Sequence, residues 1–123
     1  MAHILIAEDD TSMRHFLSAA LQKAGHTVES CADGLEALGL LESTPMPFDL
    51  LLADIVMPGM DGIELSQRAA KLRQGIKVMF ITGFAGVAMN KGNALPDTQT
   101  ILSKPFHLKE LVDRVETLLK EPA

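Results

Sequence analysis

The sequence predicts an α/β fold: a doubly wound, five-stranded parallel sheet with helices on both faces. Three observations carry this. Short apolar runs alternate with segments of helical periodicity in the order βαβαβαβ(α)βα, and such alternation belongs to parallel sheets with crossover helices. The run Phe48-Asp-Leu-Leu-Leu-Ala53 is too apolar to have one face in water, as expected of a strand buried on both sides. A length of 123 residues fits a single domain, and 47% apolar residues suffice for a packed core.

The elements follow in order. Residues 3–7 (His-Ile-Leu-Ile-Ala) read as the first strand. Met13, Phe16, Leu17, Ala20, Leu21 and Ala24 recur at helical spacing over 11–24. Asp10 or Thr11 is the N-cap, and Gly25 stands where a C′ glycine belongs. Residues 27–31 form a weaker strand. A short helix over 34–43 carries Leu35, Leu38 and Leu41 on one face and is ended by Pro45 and Pro47. After the central strand, 48–53, Asp61 caps a helix over 62–73 that Gly75 closes. Residues 77–82 form the fourth strand and 100–102 a short fifth. The last helix, 107–120, turns Leu108, Leu111, Val112, Val115, Leu118 and Leu119 inward. Five strands in a chain of this length suit the flavodoxin-like order 2-1-3-4-5. The last helix runs nearly to Ala123, so the expectation is one domain over 1–123 with no output domain behind it.

Composition narrows the function. A net charge of −5 argues against nucleic acid as a direct partner, since a polyanion needs a basic face. The single cysteine, Cys31, excludes an internal disulfide and a cysteine-rich zinc site. No basic leader or long apolar run is present, so neither a signal peptide nor a membrane span is expected, and a lone thiol suits the cytoplasm.

Ligands of open parallel sheets bind beyond the carboxyl ends of the strands. There the sequence places Glu8, Asp9 and Asp10, then Asp54, then Thr82, then Lys104-Pro105. In the order 2-1-3-4-5 the first and third strands are neighbours, which brings Glu8 and Asp9 beside Asp54. Carboxylates crowded this way repel unless a counter-charge is present. A few carboxylates plus water suit Mg²⁺ better than Ca²⁺. A threonine hydroxyl can bond a phosphoryl oxygen and a lysine ammonium can neutralise another. Phosphoryl transfer needs mainly such positioning and charge. Asp54, alone at the end of the central strand, is the best nucleophile for an aspartyl phosphate.

Four segments now converge on one family. Ile4-Leu-Ile-Ala-Glu-Asp-Asp10, Asp54-Ile-Val-Met-Pro-Gly-Met-Asp-Gly62, Ile81-Thr-Gly83 and Leu102-Ser-Lys-Pro-Phe106 resemble the signatures of the response-regulator receiver domain, in order and over nearly the whole chain. The resemblance implies that Asp54 accepts a phosphoryl group from a histidine kinase or histidine phosphotransfer protein. It implies a Mg²⁺ held by Asp9 directly, by Glu8 through water, by Asp54 and by the Val56 backbone carbonyl. Counting back from Met13-Arg14 sets that choice between Asp9 and Glu8. It further implies Thr82 as the switch hydroxyl, Lys104 as the phosphate lysine, a cis bond before Pro105, and Gly83 as the small residue that admits a phosphodonor.

One departure stands out. Receivers usually carry Tyr or Phe where this chain has Ile101. The segment 83–99, with Gly83, Gly86, Gly92 and Pro96, has poor helix propensity, so a short, frayed or displaced helix is expected there. This puts the usual coupling of threonine to aromatic, and the usual output face, in question. Residues 79–90 and 101–112 also resemble a stand-alone member of the family that, unphosphorylated, primes a Clp-type ATP-dependent protease and is switched off by phosphorylation. That resemblance implies a Clp-type protease component or another protein target as partner.

Plainer readings compete. Asp10 reads as a cap rather than a ligand. Pro58, Gly59 and Gly62 read as turn residues. His3, His15, His26 and His107 show no ligand spacing and read as surface residues, and Cys31 as a half-buried strand residue. Met79 and Met89 are either core filling or part of an adaptable binding surface. Three rival functions are a phosphorelay shuttle, a Mg²⁺-dependent phosphohydrolase and a degenerate receiver. The phosphohydrolase fits poorly, because that chemistry resembles Asp-x-Asp after the first strand and this strand ends Glu8-Asp9-Asp10. The intact strand-end residues argue against a degenerate receiver.

Overall fold

The structure is a computed structural model that describes residues 2–45, 47–83 and 101–121. Its elements are β1 (His3–Ala7), α1 (Thr11–Lys23), β2 (Thr27–Cys31), α2 (Gly34–Ser43), β3 (Leu50–Asp54), α3 (Gly62–Leu72), β4 (Lys77–Thr82), β5 (Ile101–Ser103) and, last of the described helices, α4 (Leu108–Lys120). The sheet runs β2-β1-β3-β4-β5 with every neighbouring pair parallel, the expected order.

Side chains alternate across a strand, and here the alternation divides the core. Ile4, Ile6, Leu50 and Leu52 pack with Leu17 and Leu21 of α1 and Leu111 and Val115 of α4. Leu5, Ala7, Leu51 and Ala53 pack with Ala37 and Leu41 of α2 and Leu65 and Ala69 of α3. Every residue of β1 and β3 is buried, as expected for the third strand from its apolar run. The edge strand β2 is mostly open, with only Cys31 buried. Truncating a fully buried leucine such as Leu21 typically costs about 2–5 kcal/mol.

The helix starts are local chemistry. Asp10, Asp33 and Asp61 each lie in extended backbone, and each carboxylate accepts the amide three residues on, from Met13, Glu36 and Glu64. That satisfies one of the amides a helix leaves open. Gly25 has φ 103°, the left-handed conformation that ends α1 cheaply.

Several expectations need correction. β3 begins at Leu50 rather than at Phe48, just after Asp49, whose carboxylate accepts the His3 amide at 2.8 Å, and Asp54 is the strand's last residue rather than its follower. Phe16, Leu35 and Leu108 are exposed. On α2 the buried line is Gly34, Ala37 and Leu41, which turns Leu35 outward. Leu108 is only the first residue of α4. Ala24 is also exposed. Cys31 is fully buried, not half-buried.

His3 and His26 are buried rather than on the surface. His3 stacks on Phe48 with ring centroids 4.2 Å apart and meets the Pro47 carbonyl at 2.9 Å and Glu29 at 3.2 Å. His26 Nδ1 accepts the Ala2 amide at 3.1 Å, so Nε2 carries the proton and donates to Glu116 at 2.8 Å. The expected irregular helix within 83–99, and Met89 with it, falls in 84–100, outside the described residues. No described helix is long and apolar enough to cross a membrane.

Candidate acidic and phosphoryl-transfer site

The parallel register assembles the site. Ala7 pairs with Ala53, so Glu8, one residue beyond β1, comes alongside Asp54. Glu8 extends the ladder outward, its amide donating to the Cys31 carbonyl at 3.0 Å. On the other side Asp54 pairs with Ile81 and Thr82 with Ser103. The Lys104 amide donates to the Thr82 carbonyl at 2.8 Å. Lys104 thus leaves the far edge of the sheet at the same end as the acids.

Its side chain reaches back to them. Lys104 Nζ donates to Asp54 Oδ2 at 3.0 Å and to Glu8 Oε1 at 3.1 Å. Asp54 Oδ1 accepts the Val56 amide at 3.0 Å. Glu8 Oε2 accepts the Asp10 amide at 3.1 Å, and the Glu8 carbonyl accepts Arg14 Nη1 at 2.8 Å. Glu8 and Asp54 are buried, while Asp9 is exposed.

This crowding shapes the electrostatics. Burial raises the Glu8 carboxyl above its ordinary range. The Asp10 amide pulls it down, the Asp54 charge pushes it up and Lys104 pulls it down, leaving it at about 7. For Lys104, burial works against the charge, but Asp54 and Glu8 more than offset it and hold the ammonium above its ordinary value. Among the described residues, Glu8, Asp9 and Asp54 each offer a carboxylate oxygen, and these lie within 4.8 Å of one another. Three hard oxygen donors facing one another, with a single ammonium against them, fit a small divalent cation.

The expected site residues separate into two sets. Glu8, Asp9, Asp54 and Lys104 come together, and Val56 joins through its amide. Thr82 is fully buried, one residue past Asp54's partner in the register. Gly83 follows, and a Cβ built there meets no atom of the described residues within 4 Å. The Lys104–Pro105 bond is cis, as expected. Ile101 lies elsewhere: it packs against the cluster of Ile55, Ile63 and Phe80, and its carbonyl accepts Arg114 Nη1 at 2.9 Å.

Two residues have a role at the site that the sequence reading did not give them. A Cβ on Gly62 would stand 2.3 Å from the Asp54 carbonyl oxygen, so this glycine lets α3 start against the strand end and does more than shape a turn. Gly59, with φ 77°, is the turn residue. Arg14 is the other. A cation in the first turns of a helix opposes the helix dipole, and that was the available signal.

Known proteins agree with this architecture. The sequence profile described as the response regulator receiver domain matches residues 4–116. The chain is 51% identical over 119 residues to the response regulator receiver protein CpdR of Brucella abortus (strain 2308), covering 97% of this chain and 98% of that protein. It is 33% identical over 116 residues to sporulation initiation phosphotransferase F of Bacillus subtilis (strain 168), covering 94% and 92%. The crystal structure of the receiver domain of the hybrid histidine kinase CckA superposes with a TM-score of 0.80 at 35% identity, covering 96% of this chain and 99% of that one. With this sheet order, this cluster of strand-end acids and these matches, the chain belongs to the response regulator receiver domain family.

Proposed function

We propose that the chain is a phosphorylation switch in which Asp54 is the phospho-acceptor. The convergence of Glu8, Asp9 and Lys104 on Asp54 carries this reading. A carboxylate oxygen of Asp54 attacks the phosphorus of a donor. For a phosphohistidine, the phosphorus–nitrogen bond breaks, its electron pair stays on the imidazole, and an acyl phosphate forms on Asp54. The Val56 amide and the Lys104 ammonium orient the nucleophile beforehand, which is where most of the barrier reduction in phosphoryl transfer arises. Lys104 keeps its proton and neutralises the incoming phosphoryl oxygens, and the Thr82 hydroxyl donates to another. Gly83 leaves the approach open.

Glu8, Asp9, Asp54 and the Val56 carbonyl are the residues to hold Mg²⁺. When bound, the ion supplies charge neutralisation at the transferring group. The chain is an acceptor rather than a turnover enzyme, with a histidine kinase or histidine phosphotransfer protein as its donor. It works as a receiver domain, a reading supported by the match with the Brucella protein over 97% of this chain, and its compartment is the cytoplasm, which a lone thiol suits. The output is a protein contact. Its partner is a Clp-type protease component or another protein target, as the resemblance of residues 79–90 and 101–112 supports. The aspartyl phosphate shifts a pre-existing equilibrium at the described residues next to Thr82 and Lys104.

Intact-mass spectrometry after incubation with acetyl phosphate tests the chemistry. One phosphoryl adduct is expected, dependent on Mg²⁺ and absent from Asp54→Ala; full labelling of that variant in the same pocket would sink the assignment. A second reading, a relay shuttle, is favoured by the similarity to phosphotransferase F. It predicts rapid passage of label from Asp54 to a histidine phosphotransfer protein, whereas an adaptor keeps its label once phosphorylated and captures a protease component in pull-downs in its unphosphorylated form.

A further inference from the structure

Arg14 is the fourth residue of α1, yet its side chain turns back toward the strand end. Nη1 donates to the Glu8 carbonyl at 2.8 Å, while its own amide donates to the Asp10 carbonyl at 2.9 Å. The side chain therefore holds the carbonyl of the Glu8–Asp9 peptide, while the backbone amide makes the first helical bond of α1 to the cap residue.

The rest of the turn is already tied down. Glu8 is fixed through its amide to Cys31 and through its carboxylate to Asp10 and Lys104. Asp10 is fixed as the cap of α1 by accepting the Met13 amide at 3.0 Å. Asp9 is the exposed member of the acidic cluster, beside two buried ones. The direction of an exposed carboxylate depends on the backbone that carries it, and the Glu8–Asp9 peptide is held by Arg14.

We propose that Arg14 is a positioning residue for the cation site: by holding the carbonyl of the Glu8–Asp9 peptide through Nη1, its side chain aims the Asp9 carboxylate toward Glu8 and Asp54. The inference rests on the reading of these three acids as the Mg²⁺ site. Groups that orient a metal's ligands typically change affinity by about 10–100-fold when removed. A guanidinium suits the task because its charge and fixed fork make a directional bond to a carbonyl. A role confined to stabilising α1 would change melting and leave Mg²⁺ affinity alone.

Calorimetric titration of the metal-free chain with magnesium chloride decides between these. Arg14→Met is expected to weaken Mg²⁺ binding by about tenfold or more with the circular dichroism spectrum unchanged. Arg14→Lys, whose ammonium reaches the same carbonyl, recovers part of the loss. Arg14→Met combined with Asp9→Asn binds no more weakly than Asp9→Asn alone, because the clamp acts through Asp9. Wild-type affinity in Arg14→Met, or losses that add in the double variant, overturns the positioning role while leaving the cation site intact. A wild-type chain that takes up no Mg²⁺ overturns the cation site and this inference with it. If Arg14→Met does not fold, Arg14→Gln carries the same expectation and the same refutation.

Discussion

The Lys104 ammonium lies 3.0 Å from Asp54 Oδ2 and 3.1 Å from Glu8 Oε1, so one cation from the sheet's edge serves two acids from its centre. Removing it leaves two buried carboxylates facing each other. Without Mg²⁺, Lys104→Met is expected to lose about 1–3 kcal/mol of stability, and added Mg²⁺ to restore part of it. Urea denaturation with and without the ion measures both. Equal midpoints for wild type and variant would mean the bridge contributes nothing.

Glu8 gives the metal-free chain a pH dependence of defined sign. Its folded value, about 7, stands above the ordinary 4.5. The folded state therefore binds the proton more tightly than the unfolded one. This contribution is fully present below pH 4.5 and is lost as pH rises to about 7. It amounts to about 3 kcal/mol at most. Glu8→Gln removes it, so the stability difference between variant and wild type grows from pH 4.5 to 7.5 in the presence of a chelator. A flat difference contradicts the burial argument.

Gly62 tolerates no side chain where it stands. A methyl group there must displace the Asp54 carbonyl, and overpacking of this kind costs about 1–3 kcal/mol. Gly62→Ala is expected to lower both the melting temperature and the rate of labelling by acetyl phosphate. Gly59→Ala strains a turn whose added Cβ meets no atom of the described residues within 4 Å and is expected to cost about 1 kcal/mol with the labelling rate nearly unchanged. Equal labelling of both variants would detach Gly62 from the site.

Cys31 is buried, and burial, with Glu36, Asp33 and Glu29 adding to it, pushes its thiol up to about 12. The thiolate is the reactive form. The native chain is expected to resist a disulfide reagent and to react only as it unfolds, with a rate that follows global opening across a urea series. Fast labelling in native buffer would place the thiol in solvent.

What was legible in the sequence was what local pattern encodes. The apolar runs of β1 and β3 and the caps Asp10 and Asp61 depend on neighbours within a few residues. The grouping of Glu8, Asp9, Asp54 and Lys104 was legible for another reason: a parallel sheet gathers its carboxyl ends, and strand order then makes Glu8 and Asp54 neighbours. Long-range pairing was not legible. His26 is buried because Glu116, 90 positions away, and the Ala2 amide meet its two nitrogens, and no spacing announces that. Leu35 and Leu108 were misplaced because periodicity gives a helix its face but not where the sheet beneath it stops.

Among the described residues, the two packed layers meet at the backbone of the sheet. The cluster beneath α1 and α4 and the cluster beneath α2 and α3 have no described side chain in common, and changes at well-separated sites combine almost independently. The fold can therefore be retailored one side at a time. A lineage can revise the outer helices of one layer toward a new partner while the opposite layer, unaltered, keeps the strand ends where the chemistry needs them.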